Sequence, residues 1–348
     1  MISVSAAEAT RYSTTVLEAA GYSSEDSSLC ADAFVGSALR GIDSHGFVSL
    51  LPRYARVVLK GAVSSENSPR MLESAPGVAV VDGKGVPGLR AARFTLACAV
   101  ERARAGGVGA AVLGNSSYLG ALWWSVIPAA EAGMIGVGVV NGGPIVAPHA
   151  GREPLHGTNP IAVVVPRAPY PMVFDTRTSQ LRMADYWHSR ATGARLPPHG
   201  VLTGDGLPTD DPEDVEGGVF LPLAGAKGFG LALVVDVLAA ALAGGGIGRE
   251  VSLGDPTDLS VFFLALDPAG FGPRAVFADA VERLVAQVHE TSPLDPSEPV
   301  RIPGERMAAE RERRLAEGIP IGRAMFEAME EELRSLGLQP PELAYESM

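Results

Sequence analysis

Residues 5–40 carry apolar and polar positions in a helical rhythm, and two helices are expected there. Ser5-Ala6-Ala7-Glu8 has the spelling of a capping box, and Gly21 is placed to stop the first helix before a second that reaches Arg40. Pro52-Arg53-Tyr54 opens a further short helical stretch ending near Gly61. Short apolar runs predict strands at Val78–Asp82, Val108–Leu113, Ile135–Val140, Ile161–Val165, Met172–Phe174 and Val261–Leu266. Helices are expected over Leu89–Ala105, from a cap at Ser116 or Ser117 through Trp123-Trp124 to Gly133, and over the apolar run Leu231–Ala243. Asn141–Pro160 and the acidic stretch Pro197–Pro222 read as loops. From Arg301 the chain is charged and helical, closing with an amphipathic helix, Arg323–Leu336. Strands and helices mix without a regular βαβ beat, which argues against a standard doubly wound sheet.

One loop tests that inference. Gly83-Lys84-Gly85-Val86-Pro87-Gly88 lies between a strand and a helix and has the G-x-G-x-x-G spelling of a dinucleotide loop. The next strand ends in Gly114-Asn115, with no acidic residue to hold a ribose, and Pro87 stiffens the turn. The segment therefore reads as a plain strand–turn–helix link.

Composition narrows the class. A chain of 348 residues is long enough for two or three domains and a large core. The net charge of −12 argues against nucleic acid or an anionic membrane as partner. Cys30 and Cys98 form no disulfide framework and read as buried thiols in a reducing, cytoplasmic setting. The longest apolar stretch, Gly228–Gly248, contains Asp236 and suits a core helix better than a membrane span. No basic region followed by an apolar run marks a leader at the N-terminus.

Candidate chemistry lies elsewhere. There is no C-x-x-C, no H-E-x-x-H and no G-x-S-x-G, and His149 and His156, seven apart in a loop, make a weak metal pair. Lys227, in Gly225-Ala226-Lys227-Gly228, lacks the hydroxyl that would follow it in a phosphate loop. Arg40-Gly41-Ile42-Asp43-Ser44-His45-Gly46 presents a Ser-His pair in a glycine-bracketed turn, and imidazole exchanges protons near neutral pH. Gly114-Asn115-Ser116-Ser117-Tyr118 offers small polar groups at a helix start, where an anion can bind. Gly157-Thr158-Asn159-Pro160 and Asp175-Thr176-Arg177-Thr178-Ser179 add hydroxyl, amide and carboxylate groups, though each can equally serve as turn or cap chemistry. Together they suggest a cleft for a polar, anionic ligand.

In order, these segments resemble the type 2 malate/L-lactate dehydrogenases, a family that includes ureidoglycolate, sulfolactate and diketogulonate dehydrogenases and cyclic ketimine (piperideine-carboxylate) reductases. The resemblance runs through Arg40–Gly46, Pro52-Arg53-Tyr54, Gly114–Gly120, Val146-Ala147-Pro148, Gly151-Arg152-Glu153-Pro154, Gly157–Pro160, Asp175–Ser179, Leu221-Pro222-Leu223, Lys227–Leu231 and Pro303-Gly304-Glu305. It implies an α/β fold that is not Rossmann: a mixed-sheet cofactor domain over 71–294, and a helical domain built from both termini, 1–70 and 295–348. It implies a homodimer that uses NAD(P)H to reduce a C=O or C=N beside a carboxylate. His45 would be the proton donor, Ser44 its support or a substrate ligand, and Tyr118 a substrate-orienting hydroxyl. Phe174, Asp175, Thr176, Thr178, Ser179, Lys227, Gly228, Gly304, Glu305 and Arg306 would line the cofactor. Ser49, Arg53, Asn115, Ser116, Asn141, Thr158 and Asn159 would line the substrate, and no metal is implied.

The chain departs from the family pattern at several of these places. Tyr118 stands where His is usual, Ser49 where many members have Arg, and Ala184-Asp185 where Gly-Lys is usual. Arg177 and Arg182 replace small residues; they can hold a 2′-phosphate, which Asp185 would repel. A changed substrate is the first reading of these departures. The alternative is a non-redox enzyme or ligand-binding protein on the same scaffold.

Overall fold

The computed structural model describes residues 1–215 and 217–347. The chain opens with strand β1 (Ile2–Val4), then α1 (Ala6–Ala20), α2 (Ser24–Leu39) and α3 (Phe47–Leu59). Next come β2 (Arg70–Ala75), β3 (Val78–Asp82), α4 (Gly88–Gly106), β4 (Val108–Ser116), α5 (Leu122–Glu131), β5 (Ile135–Val140), β6 (Ile161–Val165) and β7 (Met172–Thr176). After α6 (Met183–Thr192) lie the short strands β8 (Val201–Leu202), β9 (Pro208–Thr209) and β10 (Val219–Phe220). α7 (Ala226–Val235) passes into a π-helical turn, Asp236–Ala241, and β11 (Leu259–Leu266) follows. The chain closes with α8 (Arg274–His289), α9 (Glu305–Glu317), β12 (Ile319–Ile321), α10 (Arg323–Ser335) and β13 (Glu346–Ser347).

Seven strands form one sheet in the order β2-β3-β4-β11-β5-β6-β7. Only β3 and β4 pair in parallel; every other neighbouring pair is antiparallel. The sheet is therefore mixed and not doubly wound, as expected. Apolar residues of α4 and α5 cover it, and a single core cluster runs from them into α1, α2, α3 and α10. On β5, Gly136 and Gly138 let α5 approach closely: a Cβ at Gly138 would lie 2.6 Å from Val126.

The two chain ends meet in a second sheet, β12-β1-β13, with Ile2 opposite Ile321 on one side and Ser347 on the other. α3 and α10 pack together beside it. Among the described residues no helix is long and apolar enough to cross a membrane.

Several local expectations need correction. The third helix starts at Phe47, not at Pro52, which sits inside it. The helix through Trp123-Trp124 starts at Leu122, and Ser116 and Ser117 do not cap it. Its first turn instead receives the Asp175 carboxylate, which accepts from the Trp123 N–H at 2.8 Å. Pro197–Pro222 is not wholly irregular, since β8, β9 and β10 form a small sheet there. Cys30 and Cys98 are free and buried.

Candidate functional site

α2 ends at Leu39, and the chain turns through Gly41, at φ +73°, into a single 3-10 turn, Asp43–His45. A left-handed φ suits glycine because it has no Cβ to clash. Arg314 of α9 clamps this turn: Nη1 donates to Asp43 Oδ1 at 2.5 Å and to the Ala38 carbonyl at 2.7 Å, and Nε donates to Glu310 at 2.5 Å. Arg314 is only 6% exposed, so these charge-assisted bonds act in a poorly screened environment. Ser49 Oγ donates to the Asp43 carbonyl at 2.9 Å and closes the turn from α3. The clamp delivers His45 with its Nδ1 2.9 Å from Ser44 Oγ, which fixes the ring and leaves Nε2 for another partner.

Tyr118 comes to the same place from the end of β4. Its ring lies near-parallel to that of His45, 22° apart with centroids at 6.4 Å. The Arg53 guanidinium sits 3.6 Å over the Tyr118 ring. The Tyr54 hydroxyl donates to the Tyr118 carbonyl at 2.7 Å. Gly88 is the floor: a Cβ there would lie 2.3 Å from the Ser117 carbonyl oxygen and 2.7 Å from that of Tyr118. The last glycine of the G-x-G-x-x-G spelling thus serves close packing beneath Tyr118, in keeping with the strand–turn–helix reading.

Electrostatics follow from this packing. Burial pushes the His45 pKa down to about 4, and the charges of Arg182 and Arg53 act in the same direction. The ring is therefore neutral at neutral pH in the free site. Burial pushes Asp175 up to about 6, against the opposing hydrogen bond from Trp123. Tyr118 is pushed up by burial, with Arg53 opposing and Asp175 adding to the rise. Arg182, at the start of α6, holds Asp185 through Nε and Nη2 at 2.6 to 3.1 Å. The charge reversal at position 185 is thus answered three residues earlier in the chain.

The structure brings His45, Ser44, Tyr118 and Arg53 together, with Asp175 behind Tyr118. It gives most of the other expected substrate residues work within the fold. Ser49 closes the His45 turn. Asn115, at φ +54°, donates to Asp82 at 2.9 Å. Ser116 is buried and donates to the Ser117 carbonyl. Asn141 is buried between the Gly246 carbonyl and the Ser260 N–H. Asn159 is buried and donates to Ala232 and to Asp236 at the start of the π-helical turn. The carbonyl of Thr158 accepts from both the N–H and the hydroxyl of Thr178 at 2.9 Å. Those side chains looked ligand-like because turn chemistry and ligand chemistry use the same groups.

The cofactor-side residues line β7 and the turn after it. Thr178 and Ser179 are buried, and their hydroxyls donate to the Thr158 and Leu181 carbonyls, which holds the turn. Thr176 Oγ1 donates to the Arg177 carbonyl at 3.3 Å. Gly228 packs on Leu223 and Thr178, where a Cβ would lie 2.2 Å from the Leu223 oxygen. Val173 N–H donates to the Pro303 carbonyl, which seats Gly304, at φ +102°, against β7. Glu305 accepts from Ile302 N–H and pairs with His289. Phe174 is 47% exposed, and Lys227 and Arg306 are exposed with no ion-pair partner among the described residues. Phe174 lies on β7, Lys227 in the first turn of α7 and Arg306 in the first turn of α9. Asp175 itself faces α5, a contact invisible in the sequence because it spans 52 residues. Arg182 was read from the sequence as a 2′-phosphate ligand; in the structure its charge reaches His45.

Residues 4–330 match the family model described as malate/L-lactate dehydrogenase. The chain is 31% identical over 334 residues to the malate dehydrogenase of Pyrococcus horikoshii, covering 93% of this chain and 92% of that protein. It is 35% identical over 300 residues to the Delta(1)-pyrroline-2-carboxylate/Delta(1)-piperideine-2-carboxylate reductase of Pseudomonas putida, covering 84% and 85%. The solved structure of the malate dehydrogenase from Pyrococcus horikoshii OT3 superposes with a TM-score of 0.88 at 29% identity, covering 98% and 97%. The chain belongs to the malate/L-lactate dehydrogenase family, a family of oxidoreductases.

Proposed function

We propose that this protein reduces a C=O or C=N bond next to a carboxylate, with NADH or NADPH as cofactor and His45 as proton donor. The observation that carries the reading is the His45 recess: a histidine fixed at Nδ1 by Ser44, beside an arginine that has no hydrogen-bond partner among the described residues. Arg53 binds the substrate carboxylate through two parallel N–H bonds, and its stack on Tyr118 sets the plane of that fork. The neighbouring carbonyl or imine then lies with its heteroatom toward His45 Nε2. A bound nicotinamide supplies the hydride. As carbon is reduced, the heteroatom takes the electron pair of the double bond and a proton from His45. A carboxylate on Arg53 cancels part of the cationic field that depresses the His45 pKa, so the ring gains proton affinity when substrate arrives. In the reverse direction the neutral ring is the base.

The same reading proposes a helical unit from 1–70 and 295–348 and a sheet unit over 71–294. It also proposes a cytoplasmic homodimer. The exposed apolar face of α7 and the turn after it, with Leu231, Val234 and Val237, supports a second copy covering it. The test is calorimetric titration with NADH and with NADPH, followed by turnover of 2-oxo acids and cyclic imines. His45→Ala is expected to keep nucleotide binding and lose about 10²- to 10⁴-fold in turnover. If neither nucleotide binds at millimolar concentration, the reading is removed.

A further inference from the structure

We propose that Asp236 is a positioning residue for the nicotinamide cofactor: through Asn159 it fixes the Thr158 carbonyl, the oxygen from which the turn after β7 hangs. The proposal rests on the reductase reading above, in which that turn lines the cofactor. Three observations converge on it. First, the hold on the turn is concentrated at one atom. The N–H and the hydroxyl of Thr178 both donate to the Thr158 carbonyl at 2.9 Å. Thr178 is buried, so water cannot replace that oxygen if it swings away.

Second, the direction of that carbonyl is decided one residue later. It shares a rigid peptide plane with the Asn159 nitrogen. Asn159 holds φ +36°, a left-handed value that asparagine tolerates better than most side chains. Its side chain is fully buried, with Nδ2 donating to the Ala232 carbonyl at 3.0 Å and to Asp236 Oδ1 at 2.9 Å. Turning the amide over would set Oδ1 against those two acceptors, so one orientation is enforced. Oδ1 itself is buried with no partner among the described residues, a cost borne to aim both protons at α7. The ring of His156 stacks on Phe229, with centroids 6.0 Å apart. Phe229, Ala232 and Asp236 share one face of α7 and its continuation, and residues 156–159 are pinned along it.

Third, Asp236 is 7% exposed within an apolar run and has no ion-pair partner among the described residues. Burial raises its pKa, against the bond from Asn159. Such a carboxyl works against stability, and the group that uses its oxygen is Asn159. The other end of α7 holds the other side of the same turn. Leu223 N–H donates to the Thr178 carbonyl at 2.8 Å, and a Cβ at Gly228 would lie 2.6 Å from that oxygen. A helix about 15 Å long therefore brackets the cofactor turn, with Lys227 at its start and Asp236 just past its end.

The experiment measures calorimetric Kd for NADH and NADPH, and amide hydrogen exchange at Thr178 in the nucleotide-free protein. Asp236→Ala and Asn159→Gly are each expected to weaken the better-bound nucleotide roughly tenfold and to speed that exchange. Glycine accepts the left-handed φ, so Asn159→Gly removes the amide without straining the backbone, and it carries the test if the Ala variant does not fold. Asp236→Asn keeps an oxygen for Asn159 and restores binding to within about threefold of wild type. The double variant Asn159→Gly/Asp236→Ala binds no more weakly than either single variant, because both cut one link. KM for the 2-oxo acid at saturating nucleotide stays within about twofold. Nucleotide affinity unmoved in both single variants, additive losses in the double variant, or an Asn variant as weak as the Ala variant overturns the proposal. Asp236-dependent nucleotide binding without any turnover keeps the positioning role and overturns the reductase reading; turnover with affinity indifferent to Asp236 does the reverse.

Discussion

Asp175→Asn should make the protein more stable at alkaline pH. The Asp175 carboxyl is pushed from an ordinary 3.8 up to about 6 by burial, so its charged form is disfavoured in the folded state. Because the folded pKa lies above the unfolded one, the folded state takes up the proton first as pH falls. Stability therefore rises as pH drops from 6 toward 4 and is lost as pH climbs back through 6. A shift of about two units corresponds to at most about 3 kcal/mol of strain from the charge above pH 6. Asparagine keeps an oxygen for the Trp123 N–H and ranks with aspartate as a helix cap, so the cap survives. It gives up the attraction between a carboxylate and the α5 dipole, about 0.3 to 1 kcal/mol. The net expectation is a gain of about 1 to 2 kcal/mol at pH 8, seen as a melting temperature a few degrees higher, with the gap closing by pH 4.5. Asp175→Ala is the control: it removes the cap and should cost about 1 to 2 kcal/mol. The assay is thermal unfolding from pH 4.5 to 8. An Asn variant that melts no higher than wild type at pH 8, or a gap that does not narrow with falling pH, refutes the argument. If the charge is kept for catalysis, kcat will fall in the more stable variant.

Other expectations follow from the same geometry. Arg314→Met leaves Asp43 and Glu310 without their shared cation and should cost about 2 to 4 kcal/mol, with turnover lost below the melting temperature as the His45 turn loosens; equal losses of stability and no loss of activity would contradict the clamp. Gly88→Ala forces a methyl into the Ser117 carbonyl and should lower kcat/KM by displacing Tyr118, visible as reduced affinity for the substrate carboxylate; unchanged kinetics would show that the floor is not needed. In the oxidative direction, kcat/KM should rise with pH to a plateau reached below the usual histidine range near 6.5, because the free site holds His45 at about 4; His45→Gln should flatten that profile.

Much of the sheet was legible because its strands are short apolar runs with glycine or proline near their ends. Val78–Asp82, Ile135–Val140 and Ile161–Val165 were bounded as the structure bounds them. Four other strands were not: β1, β2, β12 and β13 are too short or too polar for periodicity to mark, and tertiary pairing alone defines them. α8 was not read, although Phe277, Val281, Leu284, Val285 and Val288 recur at helical spacing; most of its residues are exposed in the folded chain. At the site, His45 could be found from a Ser-His pair in a glycine-bracketed turn, and Tyr118 and Arg53 from segment order. The Arg314 clamp, the Asp175 cap and the pairing of Arg182 with Asp185 set what those residues do. The first two join residues far apart in sequence. The third is local, but its meaning depends on what it stands next to.

The sheet that joins the chain ends sets a timetable for assembly. Ser3 bonds to the Glu317 carbonyl across 314 residues, and β1 lies between β12 and β13. During synthesis at about 5 to 20 residues per second, β1 waits roughly 15 to 60 s for its partners. Over the same interval the His45 turn has no Arg314 to hold it. The seven-stranded sheet can form within its own segment of chain, while the His45 turn cannot be completed until α9 has been made. The His45 turn is therefore encoded early and clamped late, and a ribosome-bound fragment ending before Arg314 is expected to bind nucleotide without turning over substrate.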